Sequence, residues 1–103
     1  MSEDNTKELT IDVKDLSIEK EQYIEDLLRY LEEQLQHIEI SRSGNSIELT
    51  VPSKMSNRVI KLRIKKFLHR KKLTEKYRPI SYNSSDIKGY KIKEKRTLEL
   101  TYY

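Results

Sequence analysis

The sequence predicts an α+β domain in the order β-α-β-β-α-β-β, a mainly antiparallel sheet with two helices packed on one face. Three observations carry this. Apolar and polar residues alternate in several short runs, the period of a half-buried strand. Two longer segments repeat apolar residues at helical spacing. A Gly44-Asn45 pair sits between two of the alternating runs, where a hairpin needs its turn.

Residues 1–7 are polar and acidic and are expected to form a disordered lead-in, leaving 8–103 as a single domain. Leu9, Ile11 and Val13 alternate with Thr10 and Asp12, a first strand. Ser17 is expected to cap a first helix over about 18–36, with Glu19 and Glu21 in the first turn, where the helix dipole favours acids. Its apolar stripe is Ile24, Leu27, Leu28, Leu31 and Leu35. Glu25, Asp26, Glu32 and Glu33 lie on the other side, a face that repels phosphates. Ile38 and Ile40, the turn at 42–46, and Ile47, Leu49 and Val51 read as a hairpin, which Pro52 ends because it cannot donate to a ladder.

Ser56 is the predicted N-cap of a second helix over about 57–73, with Ile60, Ile64 and Phe67 stacked on one side and Leu68 flanking. Residues 77–82 resume a strand pattern, with Pro79 marking an edge or a bulge. The stretch 83–96 is polar, contains Gly89 and reads as a loop or a long, ragged hairpin tip. Leu98, Leu100 and Tyr102 alternate as a last strand.

Length and composition narrow the function classes. With 103 residues, 35% apolar and 37% charged, the chain can build one modest core, lean for an enzyme with a buried pocket but adequate for a sheet covered on one face. No apolar run approaches the roughly 18–20 residues of a membrane span, and the polar start does not read as a signal peptide. The absence of cysteine leaves no disulfide framework or thiolate metal site and suits a reducing, cytoplasmic setting. In that setting the Asn83-Ser84-Ser85 sequon is a coincidence.

Charge is distributed unevenly. Residues 54–78 hold eleven Lys/Arg and one acid, Glu75, about +10, although the whole chain is only +4. Residues 1–53 hold five Lys/Arg and thirteen Asp/Glu, a sum of −8. A solvated surface of no function mixes both signs, as the first helix does with Lys20 and Arg29. A basic block of one sign is the footprint of a polyanion, most commonly nucleic acid. Helical periodicity places Arg58, Lys61, Lys65, Lys66, His69 and Lys72 opposite the apolar stripe, with Leu62 among them. Like charges at Lys61/Lys65 and Lys66/Arg70 cost an isolated helix a few tenths of a kcal/mol per pair, a cost that a bound polyanion removes. Lys71 falls on the apolar side and is expected only to snorkel.

Residues 38–82 resemble the eukaryotic-type ribosomal protein L-twenty-two family of the large ribosomal subunit. The likeness rests on the link Val51-Pro52-Ser53-Lys54-Met55, the helix opening Ser56-Asn57-Arg58, then Lys61, Lys65-Lys66-Phe67-Leu68, Leu73 and Arg78. Leu9-Thr10-Ile11-Asp12-Val13 is similar to the family's opening strand, and Leu98-Glu99-Leu100-Thr101-Tyr102-Tyr103 to its closing one, so the resemblance covers about residues 7–103. The link before His37 is shorter than the family's, residues 83–96 are longer and more basic, and the acidic tail common in animal members is absent. The resemblance implies RNA contacts by Arg58, Lys61, Lys65, Lys66, Arg70 and Arg78. His69 stands where a lysine is usual.

Together these readings predict a structural constituent of the large ribosomal subunit that binds rRNA through Lys54, Arg58, Lys61, Lys65, Lys66, His69, Arg70, Lys72 and Arg78. Neighbouring ribosomal proteins are its other expected partners. It is expected to be a monomer outside the ribosome, with no membrane, small-molecule substrate, metal or other cofactor. An RNA stem-loop module outside the ribosome and a domain that binds an acidic protein through Leu62 and the basic face are the competing readings. Tyr77 and Tyr90 lie near basic residues and could stack on bases, although aromatics in sheets are more often core. Tyr23, Tyr30, Tyr82 and Tyr102 are expected at the core, its edge or the open side of the sheet. His37 and His69 are too few and too isolated for a metal site. No P-loop, Gly-x-Ser-x-Gly or paired-carboxylate arrangement points to an enzyme.

Overall fold

The computed structural model describes residues 6–35, 38–83 and 88–95. The elements are β1 (Thr6–Asp12), α1 (Lys14–Glu19), α2 (Glu21–Gln34), β2 (Glu39–Ser43), β3 (Ser46–Pro52), α3 (Asn57–Arg70), β4 (Tyr77–Asn83) and β5 (Lys88–Glu94). They form the α+β fold that the patterning predicts, a five-stranded sheet in the order β2-β3-β1-β5-β4. All neighbours are antiparallel except β1 and β5. That parallel seam joins two antiparallel units, β2-β3-β1 and β5-β4.

Strand alternation sorts the sheet into two faces. Leu9 and Ile11 of β1, Ile47, Leu49 and Val51 of β3, and Tyr90 and Ile92 of β5 are buried on one face. They join Ile24, Leu27 and Leu31 of α2 and Ile60, Ile64, Phe67 and Leu68 of α3 in a single core. The helices therefore cover one face and leave the other open. Each fully buried aliphatic or aromatic side chain contributes about 1.5–3 kcal/mol, so this core is the principal stabilising term. No helix among the described residues is long and apolar enough to cross a membrane.

The hairpin between β2 and β3 turns at Gly44-Asn45, as its sequence predicts. Gly44 takes φ 60°, a left-handed conformation suited to the first central position of a two-residue loop. Arg42 donates to the Gly44 carbonyl and also pairs with Glu21 and Glu25, fastening β2 to α2.

Several boundaries differ from the sequence expectation. β1 starts at Thr6, inside the stretch read as a lead-in; residues 1–5 lie outside the described residues. The first helix is two helices, broken at Lys20, whose backbone is extended (φ −167°, ψ 119°). Ser17 is no cap: it sits within α1 and its hydroxyl donates to the Lys14 carbonyl. The break has a packing cause. α1 lies against β5 and α2 against β2, so the chain must change direction between them.

The second helix ends at Arg70 instead of near residue 73. Lys72 takes φ 61°, the Leu73 amide donates to the Leu68 carbonyl (2.8 Å) and the Lys72 amide to that of His69 (3.0 Å). This is a Schellman stop, closed by burying Leu73 with Leu68. The segment 83–96, expected as a loop or ragged tip, instead supplies β5 over Lys88–Glu94. Tyr90 and Ile92 face the core, while Lys91 and Lys93 occupy the alternate positions. The lysine content masks a regular alternation. The strand predicted around Leu98, Leu100 and Tyr102 lies outside the described residues.

Candidate nucleic-acid interface

α3 begins at Ser56, whose Oγ accepts from the Arg58 amide (3.1 Å). Its position as N-cap agrees with the sequence reading. Burial of Ile60, Ile64, Phe67 and Leu68 fixes the rotation of the helix about its axis. Most of the remaining positions then lie off the core, apart from Val59, which packs at its edge. Arg58, Lys65, Lys66, His69 and Arg70 are exposed and Lys61 is half-buried. Leu62, 49% exposed, lies between them. Lys65, Lys66, His69 and Arg70 border an open depression of about 460 Å³.

The basic block divides into two groups. Lys71 Nζ lies 3.0 Å from Asp26 of α2, and Lys76 Nζ lies 3.0 Å from Glu19 of α1. The Lys71 ammonium, helped by Gln22, holds the Asp26 carboxyl below the usual carboxylate range. These cations fasten α3 and the chain after it to the acidic helices, so Lys71 does more than snorkel. Arg58, Lys61, Lys65, Lys66 and His69 have no ion-pair partner among the described residues. The Arg70 guanidinium lies over the Tyr30 ring at 5.2 Å, which holds it in place, and Arg70 remains exposed.

Three expected site residues lie off the helix face. Lys54 is exposed in the link before α3. Lys72 follows α3 in the left-handed position of the helix stop, so it is not aligned with the helical cations. Arg78 is the larger departure. It stands opposite Lys93 in the β4–β5 register, and its neighbour Tyr77 points into the core. Arg78 therefore belongs to the open face of the sheet, with Lys91 and Lys93, while the cations of α3 lie on the helix-bearing side.

Two groups were missed in the sequence. Lys91 and Lys93 were hidden in a segment read as loop; the alternation of Tyr90 and Ile92 with lysines was the available signal. Arg63 is half-buried on α3, and its Nε is buried without a hydrogen-bond partner among the described residues. Its spacing of seven from Arg70, two helical turns, was the corresponding clue.

Acids bound the cationic surface. Glu33 of α2 lines the same depression as Arg70 and Tyr30. On the open face, Glu8, Glu39 and Glu48 line a polar trough of about 520 Å³ over β1, β2 and β3. That half of the sheet disfavours a polyanion. Tyr77 and Tyr90 are 2% and 6% exposed, and the Tyr90 hydroxyl donates to the Asn57 carbonyl (3.0 Å), so neither can stack on a base. Tyr30 is buried and Tyr23 half-buried, the core and core-edge positions expected. The side chains of Tyr82 and Tyr102, and His37, lie outside the described residues. Among those residues no group of three or more potential metal ligands forms.

Fold and surface together define an α+β domain with a cationic helix on its helix-bearing side, bordered by acids on the flank that meets α2. No family model matches the chain, and no curated protein is significantly similar to it.

Proposed function

We propose that the protein is a structural RNA-binding constituent of the large ribosomal subunit, docking α3 on rRNA. The observation that carries the binding part is the outward row Arg58, Lys61, Lys65, Lys66 and Arg70, free of acid partners beside two cations that are paired inward. The ribosomal assignment rests on the likeness of residues 38–82 to the L-twenty-two family.

A helix of this length spans roughly 20 Å and lies against several phosphates at once. A-form RNA hides its major-groove base edges, so recognition proceeds by shape and backbone. Arg58 and Arg70 suit bidentate phosphate contacts, and the lysines act as mobile point charges.

With about five phosphates contacted, affinity for an RNA stem-loop falls more than about a hundredfold between 50 and 200 mM salt. The charge reversal K65E/K66E abolishes binding and leaves the circular dichroism spectrum intact. A flat salt response refutes the mechanism. Co-sedimentation with large subunits in high salt tests the ribosomal part; release into the light fraction at modest salt refutes it. The exposed Leu62 favours one competing reading, docking of an acidic protein. In that case an acidic polypeptide competes with the RNA and L62A weakens the polypeptide alone.

A further inference from the structure

The expected RNA contacts fall on two faces of the domain, and a surface connects them. Arg70 and Lys71 mark the side of α3 that meets α2. Arg58, Lys61 and Lys65 lie between about 120° and 180° around the helix from Arg70, on the flank turned away from α2. α3 packs on β4, the edge strand of the sheet. That flank therefore overhangs the β4 edge.

Across the edge, on the open face, stand Arg78 and Lys93, opposite each other in register, and then Lys91 two pairs further along β5, opposite Ile80. Arg78 and Lys93 are exposed and Lys91 half-buried, with no ion-pair partner among the described residues. Lys91 is followed across the seam by Asp12, whose carboxylate accepts from the Lys14 amide, and beyond it lies the acidic trough. The cations thus form a band with a start and an end. It begins at α3, turns the β4 edge and stops at β1.

We infer that the RNA-binding surface does not end on α3 but wraps the β4 edge, with Lys91 and Lys93 joining Arg78 as phosphate contacts on the open face of the sheet. The inference rests on the RNA reading above. It accounts for Arg78, which a helix-only interface leaves stranded on the wrong face. The strand positions are expected to add backbone contacts, because A-form RNA hides its major-groove base edges and presents phosphates to cations outside the groove.

The test uses the full chain and a fluorescein-labelled RNA stem-loop, with affinity measured from 50 to 200 mM salt. K91A/K93A is expected to weaken binding about tenfold or more at 100 mM salt and to reduce the slope of log affinity on log salt by about 1.4–1.8. The matched pair K14A/K20A, on the helix-bearing side, is expected to leave the slope unchanged. K91Q/K93Q repeats the test with side chains of similar length if the alanine pair shifts the unfolding midpoint. A wild-type slope in the Lys91/Lys93 variants, or an equal loss in K14A/K20A, overturns the wrapped interface and leaves the α3 reading standing. Failure of the wild-type chain to bind the RNA refutes both.

Discussion

Replacing Gly89 with alanine tests how the two halves of the sheet are joined. Gly89 pairs with Thr10 across the parallel β1–β5 seam and has φ 154°. A Cβ there would lie 1.9 Å from the Thr10 carbonyl oxygen and 2.7 Å from its nitrogen, both backbone atoms that no rotamer change can move. The backbone conformation alone costs an L-residue about 1–3 kcal/mol. Relieving the contact requires β1 and β5 to separate, which weakens ladder hydrogen bonds worth about 1 kcal/mol each. The expected loss is about 3–5 kcal/mol, a large part of the 5–15 kcal/mol typical of a domain. With an m-value of about 1.5 kcal/mol/M, the urea midpoint followed by far-UV circular dichroism falls by about 2–3 M. Gly44→Ala is the control: φ is 60° but a Cβ meets nothing within 4 Å, so only a conformational cost of about 1 kcal/mol applies. If G89A loses no more than G44A, the close approach at the seam does not hold the sheet together.

Three further outcomes are expected. Burial, then the nearby Glu19 and Glu94 charges, push the Tyr77 hydroxyl up to about 12, so its contribution to stability is complete below pH 10 and is lost as pH rises from about 10 to 12. That loss reaches about 2–3 kcal/mol, and Y77F removes it from the difference between urea midpoints at pH 9 and 11.5. Ser56→Ala removes the bond to the Arg58 amide and lowers stability by about 1 kcal/mol in urea unfolding. Glu33→Lys, beside Arg70, is expected to raise RNA affinity severalfold and steepen its salt dependence; unchanged affinity would place the RNA away from the α2 side of α3.

The parts of this fold legible in the sequence are those set by local chemistry. Ser56 ahead of an apolar stripe fixes the start and rotation of α3, and Gly44-Asn45 fixes the hairpin. What escaped is set by tertiary context. Lys20 has no residue-type signature of a helix break; the break follows from where α1 and α2 pack. Lys72 adopts a left-handed stop without being glycine because burying Leu73 against Leu68 outweighs the strain. Lys91 and Lys93 make β5 look like a loop, since the open face of an edge unit tolerates a lysine at alternate positions. Arg78 is the instructive case. Its charge was legible, but its face depends on which alternate set of β4 turns to the core, and Tyr77 with Pro79 on one side and Ile80 beside Arg78 on the other leave apolar residues in both.

The pairing of Lys71 and Lys76 with Asp26 and Glu19 bears on why acidic and basic halves share one small chain. Exposed pairs of this kind contribute at most about 1 kcal/mol each, so they do not explain the segregation by stability. Their geometric consequence is larger. They dock a cationic helix against acidic helices, which places carboxylates along one border of the α3 surface. The trough of Glu8, Glu39 and Glu48 occupies the far half of the open face. A polyanion repelled at both borders is left one track, from α3 around the β4 edge to Lys91 and Lys93. Net charge would attract it to the molecule in any orientation. The arrangement of the acids restricts that orientation, which lysines on a uniformly basic surface cannot do.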